Sequence, residues 1–135
     1  MTNGYNIAVF EGDGIGPEIA DPTVKILRNL SEASRGYSLS FEHAQAGAAH
    51  YAKTGESLPV ESMAIARKAD AILLSAMGLP NVRYEDGTEI SPQIDLRKAL
   101  TLFAGVRPVT VRAGQQSPLK IPEGKEIDFV LIRES

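Results

Sequence analysis

Tyr5-Asn-Ile-Ala-Val-Phe10, running directly into Glu11-Gly-Asp-Gly-Ile-Gly-Pro17, is a β-rich run that meets a glycine-rich turn. A helix should follow through about Ser34, because Ile19, Val24, Ile26, Leu27 and Leu30 stand at near-helical spacing and Pro17 suits a first helical position. Pro22 lacks an N–H and its ring opposes the Glu18 carbonyl, which predicts a kink or a loosely helical first turn. Two readings of the turn stand side by side. Glycine-rich turns between strand and helix cradle phosphates with backbone N–H groups, and glycine also simply permits positive φ. The G-x-G-x-x-G dinucleotide fingerprint fails, since Pro17 occupies the third glycine's place.

Outward from that turn, Ser38 to Ala44 alternates as a strand does, and Pro59 to Lys68 carries a short helical pattern. Ala69 to Ser75 reads as a buried strand and Ile90 to Leu100 as a helix. Leu102 to Val111 follows as a strand interrupted by Pro108, and Ile127 to Ile132 as a last strand. Arg112 to Lys125, with Gly114, Pro118, Pro122 and Gly124, is a loop. Strands alternating with helices predict an α/β fold with crossover connections. The last strand runs to Arg133-Glu-Ser135 without turn or cap, which reads as a truncated chain.

With 135 residues and 43% hydrophobic content the chain can build one compact core. A net charge of -3 is too mild to argue for nucleic acid or an anionic membrane as partner. Cysteine is absent, so disulfides, thiolate nucleophiles and zinc-thiolate sites are excluded. No stretch approaches a membrane span and Met1-Thr-Asn-Gly4 does not resemble a signal peptide, so cytoplasmic residence is expected.

Three arginines carry the chemistry. Arg97 and Arg107 lie within Ser91 to Pro108, and Arg133 closes the apolar run from Ile127. A guanidinium stays charged and offers a planar fork that matches a carboxylate bidentately. Embedded in apolar sequence, these charges need partners, and the pattern points to a small polycarboxylate. An ion pair of Arg97 with Glu89 or Asp95 is the purely structural alternative.

Gly12-Asp-Gly-Ile-Gly-Pro-Glu-Ile19, Leu96-Arg-Lys98 with Leu102-Phe-Ala-Gly-Val-Arg-Pro108, and Asp128-Phe-Val-Leu-Ile-Arg-Glu134 occur in the order and spacing of one family. Over its whole length the chain resembles the N-terminal part of the isocitrate and isopropylmalate dehydrogenases. The resemblance implies the family's own α/β fold: residues 1–100 as part of the large cofactor-side domain, and 101–135 as the first strands of a second, dimer-forming domain. It also implies NAD- or NADP-dependent oxidation of a 2-hydroxy di- or tricarboxylate with β-decarboxylation, assisted by Mg2+ or Mn2+, in a full-length homodimer.

Arg97, Arg107 and Arg133 match the family's substrate arginines, which fix the C2–H bond toward the nicotinamide. Ile15, and the stretch from Ala76-Met77-Gly78-Leu-Pro80 to Glu89 and Ile90, match its cofactor side, although Leu79 replaces a usual glycine. Isopropylmalate enzymes carry two leucines at the positions of Gln93 and Ile94; isocitrate enzymes carry asparagine and an aliphatic residue there, with serine at Ser91. Ser91, Gln93 and Ile94 resemble the second pattern. An amide unpaired against an isopropyl group costs roughly 1 to 3 kcal/mol, which favours isocitrate or a small polar malate such as tartrate. The family's catalytic tyrosine, lysine and metal-binding aspartates fall beyond Ser135, so no catalytic or metal residue is assigned here and the piece alone is expected to be inactive. A non-catalytic carboxylate-binding or regulatory module derived from the family is the alternative.

Other residues favour local roles. His43 and His50 have no evident carboxylate companion at metal spacing. Asp13 suits capping of backbone N–H groups within its turn. Glu85, Asp86 and Glu89 suit a solvated loop better than a cation site, and Tyr84 suits a half-buried loop anchor better than a ligand stack.

Overall fold

The computed structural model describes residues 3–134. The elements run β1 (Asn3–Phe10), α1 (Gly16–Ala33), β2 (Tyr37–Ala44), α2 (Ala48–Thr54), α3 (Val60–Lys68), β3 (Ala71–Leu74), α4 (Pro92–Ala99), β4 (Ala104–Val111) and β5 (Ile127–Glu134). The chain divides into two compact units, Met1–Ala99 and Leu100–Ser135.

The first unit is built on a parallel three-stranded sheet in the order β2-β1-β3. Phe10 pairs with Ala44 on one side and Leu74 on the other. Parallel neighbours require crossovers, and α1 and α3 supply them. Ala8, Val9 and Phe10 are each fully buried. Consecutive strand residues point to opposite faces, so both faces of β1 are covered. This is the core, and it sits at the carboxyl end of the central strand, beside the glycine turn.

Pro22 does not break α1, which runs unbroken from Gly16 to Ala33. It stands early in the helix, and close by the Thr23 hydroxyl donates to the Ile19 carbonyl at 2.7 Å. Ser31 is buried and its Oγ accepts the Leu39 N–H at 2.8 Å, tying the end of α1 to β2. Three expectations need correction. β3 is not a buried strand: it is the sheet's edge, and Ala71 and Leu74 are exposed. Pro108 does not interrupt β4 but sits in it opposite Val130, tolerated because a two-stranded ribbon has a free edge on each strand. The helix α2 was unforeseen, since Ala48–Thr54 is short and carries no amphipathic repeat.

The second unit is an antiparallel ribbon of β4 and β5, joined by the loop through Arg112 to Lys125. Gly105 faces Arg133 and Arg107 faces Leu131. Most of its residues are exposed on both faces, including Val106, Phe129 and Ile132.

Candidate functional site

The glycine turn packs against backbone at Gly12 and Gly16, while Gly14 and Ile15 are exposed. Gly12 adopts φ 74° and Gly14 φ 58°. A Cβ at Gly12 would run into the Ala76 carbonyl oxygen, so the residue serves a close approach of two chain segments. The Asp13 N–H donates to that same Ala76 oxygen at 2.7 Å, and the Gly16 N–H donates to the Asp13 carbonyl at 2.8 Å. The Asp13 and Gly16 N–H groups are therefore committed within the protein, and at Gly12 the close approach to Ala76 accounts for the glycine.

Asp13 does more than cap its own turn. It is 3% exposed. Its Oδ2 accepts the N–H groups of Ala48 and Gly78, and its Oδ1 accepts that of Ala49, all at 2.7 Å. The first two helical N–H groups of α2 and the loop after β3 thus converge on one carboxylate. Charge-assisted bonds of this length are about twice as strong as neutral ones. Gly47, the residue preceding α2, has no room for a Cβ because the Asp13 carboxylate lies where it would go.

Past that anchor lies a cavity of about 280 Å³ lined by Met77 to Pro80, Arg83, Glu89 to Ser91, and Gln93. Six residues singled out from sequence meet here: Met77, Gly78, Glu89 and Ile90 from the cofactor side, Ser91 and Gln93 from the substrate side. Ile15 does not line it; that residue precedes α1 and is 59% exposed. Arg83 was not singled out, and no local signal separates it from a solvated arginine. Its guanidinium reaches Glu89 at 3.3 Å. Gln93 Oε1 is buried without a hydrogen-bond partner. A buried unpaired acceptor is costly, and a ligand N–H or O–H is the group that would satisfy it.

Arg97 stands four residues after Gln93 on α4, hence on the same helical face one turn on. It is exposed, and neither Glu89 nor Asp95 pairs with it among the described residues. In the ribbon, Arg107 and Arg133 occupy diagonal positions on one face, since Arg107 opposes Leu131 and Arg133 lies two residues further along β5. Both are exposed and lack a carboxylate partner among the described residues. Apolar flanks in sequence do not bury these arginines: Leu96 is buried but Arg97 beside it is exposed, and around Arg107 and Arg133 the flanking Val106, Leu131 and Ile132 are exposed as well.

Elsewhere, His43 does have a carboxylate companion, Glu11, whose Oε1 lies 2.7 Å from its Nδ1. The pairing comes from strand register 32 residues apart and carries no local signal. Tyr84 is a loop anchor: its hydroxyl donates to Ser57 Oγ at 2.7 Å and its ring meets Tyr51 edge-on at 5.1 Å. Asp86 accepts the hydroxyl and the N–H of Thr88, and these bonds, the hydroxyl first, hold its carboxyl below its ordinary range. No helix among the described residues is long and apolar enough to cross a membrane.

Comparison with known proteins agrees with this arrangement. The sequence profile of the family described as isocitrate/isopropylmalate dehydrogenase matches residues 6–135. The 3-isopropylmalate dehydrogenases of Zygosaccharomyces bailii and Heyndrickxia coagulans are each 38% identical, over 96% and 95% of this chain and 36% of their own length. The chain therefore spans little over a third of the curated relatives it matches. Among solved structures, isocitrate dehydrogenase from Methylococcus capsulatus superposes with a TM-score of 0.72 at 27% identity, over 96% of this chain and 34% of that one. A β-decarboxylating dehydrogenase from Thermococcus kodakarensis, in its apo form, gives 0.64 at 28% identity, over 96% and 41%. A match across nearly all of the residues, on a parallel α/β sheet of the same fold, makes this chain a member of the isocitrate/isopropylmalate dehydrogenase family.

Proposed function

We propose that the protein containing this chain oxidises a 3-substituted malate with NAD or NADP and releases the carboxylate β to the new ketone. The observation that supports the reading is the diagonal pair Arg107 and Arg133, two guanidinium forks on one ribbon face without a carboxylate partner among the described residues. Two forks on one face suit a short diacid, one carboxylate to each. Arg97, one turn from Gln93 in the first unit, is another fork of the kind that suits a carboxylate. Arg107 and Arg133 would fix the acid's orientation, the kind of positioning that contributes most when the geometry is tight.

Met77, Gly78, Glu89 and Ile90 would receive the reacting end of the dinucleotide, with Ile15 further along it. The cavity of about 280 Å³ fits a nicotinamide ring or a short acid rather than a whole dinucleotide. When bound, the nicotinamide accepts the C2 hydride and a divalent cation assists decarboxylation. Among the described residues no group of three or more histidine, cysteine, aspartate or glutamate side chains is placed to hold a metal ion.

For the substituent at C3, the unpaired Gln93 Oε1 supports a polar group, as in isocitrate or tartrate. A second reading, isopropylmalate, is favoured by the names of the relatives at 37–39% identity. Full-length protein assayed with NAD and NADP against isocitrate, isopropylmalate, tartrate and malate, with and without Mg2+ or Mn2+, decides between them. A clear preference for isopropylmalate removes the polar reading. Turnover of none of these acids removes the enzyme and leaves the carboxylate-binding module.

A further inference from the structure

Both walls of the cavity are tied to one segment that does not line it. On one side, Gly78 donates its N–H to Asp13 Oδ2, the same oxygen that takes the first helical N–H of α2 from Ala48. On the other, Tyr84, one residue from the lining Arg83, donates its hydroxyl to Ser57 and packs its ring on Tyr51 of α2. The two tethers join, because the Gly47 N–H donates to the Ser57 carbonyl at 2.9 Å. A continuous path therefore runs from Gly78 through Asp13, Ala48, Gly47 and Ser57 to Tyr84. Neither Asp13 nor any residue from Gly47 to Ser57 lines the cavity.

We propose that Asp13 and Tyr84 are positioning residues, and that the segment from Gly47 to Ser57 is a brace that sets the separation of the cavity's two walls. The inference rests on the reading of Met77 and Gly78 as the cofactor side. Asp13 acts through Gly78: its carboxylate accepts three N–H groups at once, which an amide of the same shape cannot do, since it turns its own N–H toward one of the donors. Tyr84 acts through the turn that carries Arg83 and Glu89, a turn closed by the Gly87 N–H on the Tyr84 carbonyl at 2.9 Å. A brace of this kind controls cofactor affinity without touching the cofactor.

The test uses full-length protein as wild type, Asp13→Asn and Tyr84→Phe. Amide hydrogen exchange is followed at Gly78 and Thr88, with Ala8 and Val9 in the core as reference, and NADH and NADPH affinities are measured by fluorescence titration. Asp13→Asn should speed exchange at Gly78 with Ala8 and Val9 unmoved, and should weaken the preferred dinucleotide roughly tenfold. The KM for the hydroxy acid should move less than the dinucleotide affinity, a split that general destabilisation does not produce. Tyr84→Phe keeps the ring and loses one hydroxyl bond, so it should loosen Thr88 and weaken the dinucleotide about threefold.

If Asp13→Asn unfolds, Tyr84→Phe carries the test. Unchanged exchange at Gly78 in a folded Asp13→Asn overturns the brace. Faster exchange with unaltered dinucleotide affinity in both variants also overturns it as a determinant of the site. Wild-type protein that binds neither dinucleotide defeats the cofactor reading alone, and the exchange data then still decide whether the brace exists.

Discussion

The central strand β1 and the ribbon strand β5 are both rich in apolar residues, yet they meet opposite fates. Phe10 in β1 is fully buried, flanked by two parallel neighbours and covered on both faces. Phe129 in β5 is 49% exposed in a ribbon with one neighbour, and Ile132 is 68% exposed. Apolar content thus does not separate them; the number of partners does. A two-stranded antiparallel pair is at best marginally stable in water, whereas a sheet with packed helices holds itself. Stability is concentrated in the first unit, while two of the three arginines proposed to bind the substrate stand on the second.

The largest expected effect tests the difference directly. Phe10→Ala should cost about 3–5 kcal/mol in urea unfolding of the chain, and Phe129→Ala about 1 kcal/mol or less. Equal costs would mean that the ribbon face is covered in solution. Next, Arg107→Lys in full-length protein should raise KM and lower kcat together, with kcat/KM down roughly 10- to 100-fold, because a point charge cannot reproduce the fork. Urea unfolding of the chain should not change, since Arg107 has no internal carboxylate partner among the described residues; a stability loss with intact kinetics would move Arg107 out of the site.

Gln93→Leu removes the unpaired oxygen and should shift the ratio of kcat/KM for isopropylmalate over isocitrate upward by about tenfold. An unshifted ratio would detach Gln93 from the C3 substituent. The smallest effect concerns the exposed turn at Asp86. Its carboxyl is held low by Thr88, so this contribution is present above the unfolded-state value and fades as pH falls through the lower folded value. Thr88→Val should raise the Asp86 midpoint toward that of an ordinary carboxylate in a carboxyl-carbon NMR titration. An unmoved midpoint would mean that the hydroxyl bond is not formed.

Local pattern carried the sheet unit well. Strand, glycine turn and α1 are legible because alternation and helical spacing are local, and the family match follows from three short segments. The cavity lining was legible only through the resemblance: nothing between Met77 and Gln93 announces a pocket by spacing alone. The misses are all long-range. The helix α2 has its first N–H groups capped by a carboxylate 35 residues away, so its own seven residues carry no start signal beyond Gly47. Glu11 meets His43 only through register. The exposure of β3 and of the arginines depends on what lies beside them in space, which apolar flanks in sequence do not report.

The β4–β5 pairing also determines where the chain tolerates insertions. Between Val111 and Ile127 the connection can gain or lose residues and leave the opposed pairs as they are, because its length does not enter the alternation. A single residue added between Leu131 and Arg133 would turn the second guanidinium through the ribbon to its far side, and the two forks would no longer share a face.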